Sequence, residues 1–306
     1  MKNFEEVTLD DIELIDRYLK KANYQESNHN LINMFVWKSM FPLYKYVEKD
    51  FMLLVSRHLS QPFLFMPLCE KQHSKKAILK GKQLFDQEGL TFIMSATTNA
   101  VKEVAVSLFN DLVITKARDG YDYVYEKEKI ISLSGKKLQK RRNLLNKFKR
   151  DYEDRVMLAP LHCLVDEVKA FLLTLDEDVN DEYLQHERLG IVLFLDNLEL
   201  FDYQGAVLLI DREVKGFIVT SLLDETMVQI NVEKADKNIA GIFQYLESEY
   251  FKMFYPDIQY INKEDDMGRE NLRKAKLASK PIKMIEKYRL CQGDCDDKKG
   301  IYARQN

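Results

Sequence analysis

The run Asn262–Lys276, NKEDDMGRENLRKAK, sets Glu264, Asp265 and Asp266 ahead of Gly268, then presents Arg269, Arg273 and Lys276 at i, i+4 and i+7. On a helix that spacing lines three cations along one face. Carboxylates at the end of a strand, just before a helix N-terminus, can orient an attacking amine or hydroxyl and receive its proton, while the basic face holds phosphate. The same residues also fit a plainer arrangement, in which Asp265 or Asp266 caps the helix and the Arg/Lys stripe is its solvated side.

Two other stretches carry chemical potential. Val232–Asp236 forms a strand-to-helix junction that leads into Lys237-Asn238-Ile239-Ala240-Gly241. A helix start at that junction suits an anion, because unpaired N–H groups and the helix dipole point the same way. A close backbone packing contact is the other use of Gly241. In Gly135–Arg150, GKKLQKRRNLLNKFKR, eight of sixteen residues are Lys or Arg. Those cations surround the helix rather than line one side, and only Phe148 could stack on a base, so phosphate contact is expected and sequence-specific nucleic-acid reading is not. The histidines at 29, 58, 73, 162 and 186 form no HxxxH or HExxH pattern, and the four cysteines (69, 163, 291, 295) form no CxxC pair, so no metal site is expected.

The elements that must position these residues follow from periodicity. Thr8–Leu19 reads as a capped helix and Asn28–Met40 as an aromatic-rich one; Tyr46–Val47, Phe51–Val55 and Phe63–Pro67 are strands, Ser74–Gln87 a helix and Leu90–Met94 a strand. Later, Ala206–Ile210, Gly216–Leu223 and Met227–Val232 are strands, Ile239–Lys252 a helix and Asp257–Ile261 a strand. The second half therefore repeats the first half's order, as two copies of one mixed α/β unit would. Two unrelated α+β domains are the alternative.

Composition agrees with that size. The 306 residues are 46% hydrophobic and 11% aromatic, enough for two medium cores. The charged fraction is 31% but the net charge is only −3, so any grip on a polyanion must come from a local patch. The acidic, amphipathic start and the lack of an apolar run near the roughly 20 residues that span a bilayer predict a cytoplasmic chain with no integral membrane association.

Three segments resemble the phosphatidylglycerol lysyltransferase C-terminal family. They are Asp122-Tyr123-Val124-Tyr125 with Leu133–Lys136 and Lys140–Asn143; Val232–Asp236 with Gly241, Gln244–Leu246 and Glu249; and Tyr260–Asn262, Glu264–Asp266, Gly268, Leu272-Arg273, Ala275-Lys276, Pro281 and Lys287-Tyr288. The resemblance implies an α+β fold of two tandem GNAT-like (acyl-CoA N-acyltransferase) domains, at 1–134 and 156–290, joined by a basic helix at 135–155 and followed by a weakly ordered tail at 291–306. It implies transfer of an acyl or aminoacyl group from a coenzyme A thioester or an aminoacyl-tRNA to an amine or hydroxyl of unknown identity, without a covalent enzyme intermediate. In that scheme Asp265 and Asp266 orient or deprotonate the acceptor and Tyr288 donates a proton. Asn262, Arg273, Lys276, Arg141 and Asn143 bind substrate, and Lys237, Asn238, Ile239, Ala240 and Gly241 hold the pyrophosphate of coenzyme A or acyl-CoA. The loop departs from the Arg/Gln-x-x-Gly-x-Gly/Ala pattern of GNAT acetyltransferases, since it has one glycine. That departure favours a rival class, a non-catalytic module that binds a nucleotide, another phosphate-bearing ligand or a protein partner.

Overall fold

The sequence's strand and helix signals mature into two mixed sheets with helices packed on them, in a computed structural model that describes residues 2–58, 61–175 and 180–293. The chain divides into two units. One gathers the chain up to Asp122, Asp265–Arg269 and the segment from Ile285 onward; the other holds Tyr123–Glu264 and Glu270–Met284.

In the first unit, strands β1 (Glu5–Glu6), β2 (Leu43–Glu48), β3 (Phe51–His58), β4 (Gln61–Leu64), β5 (Leu68–Cys69), β6 (Ile93–Thr97) and β7 (Leu112–Lys116) are joined by helices α1 (Ile12–Ala22), α2 (Leu31–Val36), α3 (Ser74–Gln87) and α4 (Asn99–Val106). Thr8 opens the first helical turn because its N–H donates to Asp11 Oδ2 at 2.9 Å, half of a capping box. The core gathers Phe51, Leu53, Val55, Leu64, Phe85, Phe92 and Met94, the inward faces of strands and of α3.

The second unit contains β8 (Asp122–Glu126, its first residue counted with the first unit), helices α5 (Lys127–Ser132) and α6 (Gln139–Tyr152), β9 (Val156–Pro160), α7 (Val165–Thr174), α8 (Glu182–Leu195), β10 (Gln204–Ile210), β11 (Glu213–Leu222), β12 (Met227–Ala235), α9 (Ile242–Phe254), β13 (Tyr260–Asn262), α10 (Glu270–Ala278) and β14 (Lys283–Ile285, its last residue counted with the first unit). The chain's last described strand, β15 (Tyr288–Gln292), lies in the first unit's sheet. The β10–β11 hairpin turns on Asp211 and Arg212, whose φ of 52° and 68° match the mirror-image turns that suit twisted strands.

One plan serves both units. The first sheet runs β1-β2-β3-β4-β6-β15-β7 and the second β14-β8-β13-β12-β11-β10-β9. Each is antiparallel except for one parallel pair among the registered pairings, β4 with β6 and β12 with β13, and in each a helix, α3 or α9, connects the parallel strands. This is the repeated mixed α+β unit that the sequence suggested.

Chain order and unit membership differ from the expected consecutive halves. Asp122–Tyr125, read from sequence as part of a connecting segment, forms β8 beside β13. Tyr288 and its neighbours, assigned to the second domain by the 156–290 boundary, form β15 between β6 and β7. That strand also takes up Cys291 and Gln292 of the expected tail, while residues 294–306 lie outside the described residues. Just before β15, the buried Lys287 donates to Asp122 Oδ1 and Asn28 Oδ1, both at 2.6 Å, and to Ser27 Oγ at 3.0 Å. Burial alone would lower its pKa, but Asp122, Glu26 and Asp265 outweigh that and hold it above the ordinary lysine value.

The basic helix α6 also sits differently from a bridge. It belongs to the second unit, where Phe148 is fully buried with its ring 4.6 Å from that of Tyr245 on α9. Its solvated side keeps Lys140, Lys147 and Arg150 exposed, as the turn just before it keeps Lys136 and Lys137.

Candidate functional site

The parallel pairing of β12 and β13 covers only Met227–Gln229 against Tyr260–Asn262. Past that point the strands have no registered pairing with each other, and charged side chains from four elements converge there. Lys263, immediately after β13, places its Nζ 2.7 Å from Glu247 Oε1 on α9 and 3.6 Å from Glu233 Oε2 on β12. Arg141 of α6 approaches Glu247 Oε1 at 3.9 Å. Three buried atoms in this region have no hydrogen-bond partner among the described residues: Glu233 Oε1, Arg141 Nε and Gln229 Oε1. Buried polar groups are rarely left so, and a cluster of them marks a place prepared for another molecule or for water.

The electrostatics sharpen the point. Burial, then the neighbouring Glu247 carboxylate, push Glu233 up to about 7 against the opposing pull of Lys263 and Arg141. Lys263 loses by burial but gains more from Glu233 and Glu247, so its pKa stands above the usual lysine value and it stays charged at neutral pH. A carboxyl that titrates near neutrality beside a fixed cation is suited to taking and returning a proton.

Glu233 also lines a cavity of about 780 Å³ built wholly within the second unit. Its apolar walls include Phe171 and Leu175 at the end of α7, Val214 on β11 and Phe243 on α9, and Arg212 and Lys237 contribute cations.

The expected pyrophosphate loop contributes Lys237 and Asn238 to that cavity, but its backbone is largely self-satisfied. Asp236 Oδ1 accepts from Asn238 N at 2.9 Å and from Asn238 Nδ2 at 3.0 Å, and the Asp236 carbonyl accepts from Ile239 N at 3.0 Å. Gly241 has φ +89°, and a Cβ there would fall 2.1 Å from the Leu144 carbonyl oxygen, so the glycine serves close approach of α9 to α6. Ile239 packs at the edge of the core, and Ala240 is half-buried between them.

The carboxylate run is a chain of side-chain-closed turns. Asn262 Oδ1 accepts from Glu264 N at 2.8 Å, Asp265 Oδ1 from Met267 N at 3.0 Å and Asp266 Oδ1 from Gly268 N at 3.0 Å. Asp266 is also fully buried with its Oδ2 3.2 Å from Arg118 Nη1. Lys276 Nζ donates to the carbonyl of Lys263 at 2.5 Å, which ties α10 to the charged network, and Arg273 lies half-buried one turn earlier. Asn143 sits exposed on α6 and accepts from Gln139 at 2.8 Å. Tyr288 donates from its hydroxyl to Glu286 Oε2 at 2.6 Å in the first unit, and that bond pushes it up to about 12. Among the described residues no group of three or more His, Cys, Asp or Glu side chains is placed to hold a metal.

The family model for the C-terminal region of phosphatidylglycerol lysyltransferase matches residues 20–291. The chain belongs to this family. A conserved protein of unknown function from Bacteroides thetaiotaomicron is 25% identical, with a TM-score of 0.86 over 95% of this chain and 99% of that one. L-PGS from Bacillus licheniformis superposes with a TM-score of 0.68 at 14% identity, over 93% of each chain, and so shows a shared fold. An uncharacterized protein of Mycoplasmoides gallisepticum is 29% identical over 169 residues, which is 55% of this chain and 54% of that protein, so the match spans about half of that relative's length. No helix among the described residues is long and apolar enough to cross a membrane.

Within the family's signature segments, the structure gives weight to residues that motif spacing did not single out. Glu233 lies inside a quoted segment, Lys263 falls between Asn262 and Glu264, and Glu247 lies between Leu246 and Glu249 on α9. The available signal was charge on a mostly apolar pattern: Glu247 falls among the buried positions of α9, where an unpaired carboxylate would be costly.

Proposed function

We propose that the second unit transfers an acyl or aminoacyl group to an amine or hydroxyl acceptor, with Glu233 as the proton acceptor. The observation that carries this reading is a carboxyl raised to about 7 beside the Lys263 ammonium, with one oxygen lacking a hydrogen-bond partner among the described residues, on a residue that borders a cavity of about 780 Å³. The nucleophile's proton passes to Glu233 as its nitrogen or oxygen attacks the acyl carbon. Lys263 holds the other Glu233 oxygen and stabilises the carboxylate before transfer. Arg141 and Glu247 fix Lys263 in turn. Binding and orientation supply most of the acceleration in such direct transfers, and no side-chain nucleophile is needed.

An aminoacyl ester of tRNA is the donor that these features favour over a coenzyme A thioester. Asn238 and Ile239 already spend their N–H groups on Asp236, and Gly241 faces Leu144, which leaves little of a pyrophosphate cradle. The exposed cations of α6 offer phosphate contacts instead. In this reading Asp265, Asp266 and Asn262 shape the loop before α10, while Arg273 and Lys276 steady the network and its phosphate-facing side.

The test is single-turnover transfer from bulk aminoacyl-tRNA, and in parallel from acetyl-CoA and a long-chain acyl-CoA, to a panel of amino acids, dipeptides and phosphatidylglycerol vesicles. Acceptor-dependent loss of the donor's acyl group, reduced by Glu233→Gln, supports the proposal. No transfer from any donor, with saturable binding of the same ligands, would establish the binding-module class.

A further inference from the structure

The charged groups that meet beside the end of β12 do not share their cations evenly. Lys263 Nζ lies 2.7 Å from Glu247 Oε1 and 3.6 Å from Glu233 Oε2. Arg141 Nη2 pairs with the same Glu247 oxygen at 3.9 Å. Glu247 is only 2% exposed on α9, where a carboxylate needs such partners. Glu233 is half-buried and keeps Oε1 without a hydrogen-bond partner among the described residues. Both carboxyl groups stand within 3.6 Å of one ammonium, so ionising both sets like charges against each other. The proton then goes first to the carboxyl with the weaker hold on the cations.

We infer that Glu247 is a positioning residue of this site: it draws both cations to its own side, keeps the negative charge of the pair, and so commits the exchangeable proton to Glu233. The inference rests on the transfer reading above and adds to it the residue that decides where the proton resides. In the reaction the nucleophile's proton moves to Glu233, and Glu247 neither gains nor loses one. The other groups around the pair bring no further carboxylate. On β11, Ile218 stands opposite Glu233. Tyr125 on β8 faces Glu247 and Arg141, and its hydroxyl donates to the Lys276 carbonyl at 2.8 Å. Lys276 on α10 donates from its Nζ to the Lys263 carbonyl at 2.5 Å.

A Glu247 that served only to hold Lys263 in place would behave in the opposite way. Its loss would let the ammonium drift from Glu233 and leave that carboxyl to burial, which favours the protonated form and moves its titration up. As the like charge across the pair, Glu247 acts second only to burial in raising Glu233. Its loss then removes a repulsion and returns Lys263 to Glu233, and the titration moves down. The sign of the shift separates the two roles.

The test is a pH titration of the full chain without donor or acceptor, read by infrared difference spectroscopy of the protonated carboxyl stretch. The Glu233 band is identified by its loss in Glu233→Gln. The expected midpoint is about 7 in the unaltered protein, and in Glu247→Gln it should fall by about one pH unit or more. A midpoint in Glu247→Gln that is unchanged or raised overturns the inference. Should that variant fail to fold, Glu247→Met, uncharged and of similar length, takes its place with the same two outcomes. Because no donor is present, a lowered midpoint without any Glu233-dependent transfer in the turnover assay rejects only the catalytic reading. An unmoved midpoint alongside Glu233-dependent transfer rejects only the role of Glu247.

Discussion

Two charged groups, one buried and one half-buried, carry opposite meanings in this molecule. Lys287 is enclosed by Asp122, Ser27 and Asn28 with every contact within 3.0 Å, whereas Glu233 retains an oxygen without a partner among the described residues. The first is an anchor, and the second is the group to which the proposed reaction gives the proton. Replacing Lys287 by Ala leaves the Asp122 carboxylate buried without its cation, and the expected loss is about 3–5 kcal/mol in a denaturant titration at pH 7. The pH dependence follows from direction. Lys287 is raised, so its contribution is complete below the ordinary lysine value and fades only as pH climbs through its native value. Glu26 is pushed up by burial but held down more strongly by His29 and Lys287, so its contribution is present above the ordinary glutamate value and lost as pH falls through the lowered one. Asp265 and Asp266 were legible in sequence as notable carboxylates. Their use in closing backbone turns was not, because side-chain-to-backbone bonds depend on φ and ψ, and Glu264, Met267 and Gly268 all take φ between 51° and 70° here.

At the scale of elements, periodicity located α3, α9 and the central strands of both sheets, since these alternate or repeat around a buried face. It missed β15, whose fully buried Leu290 and Cys291 sit in a polar neighbourhood of sequence and whose partners are about 175–200 residues away in the chain. The packing of α9 on α6 through Gly241 supplies a second prediction. Gly241→Ala places a Cβ against the Leu144 carbonyl at a φ of +89°, and it should cost at least about 2 kcal/mol by thermal or chemical unfolding. The exposed side of α6 supplies a third. Exchanging Lys136, Lys137, Lys140 and Lys147 for Gln should weaken tRNA binding at low salt and flatten the dependence of log K on log salt, by roughly one unit of slope for each phosphate contact removed. An unchanged slope would remove α6 from the donor site.

For the whole molecule, the half-to-half echo was visible in element order, but the assignment of strands to units was not. Hydrophobic pattern says which residues are buried, not which sheet they join, and here β15 lies between two strands of the first sheet. Removing residues 285–306 is therefore expected to strip hydrogen-exchange protection from β6 and β7, which pair with β15, while β10–β12 keep theirs. The proton-transfer reading of the second unit rests on Glu233, and its most direct measurement is the pH dependence of single-turnover transfer from aminoacyl-tRNA. The unaltered protein should gain rate as pH rises through about 7, where Glu233 becomes able to accept a proton, and Glu233→Gln should lose that inflection together with about 10²–10⁴ of the rate. A Glu233→Gln protein that keeps both the rate and the inflection would contradict the account.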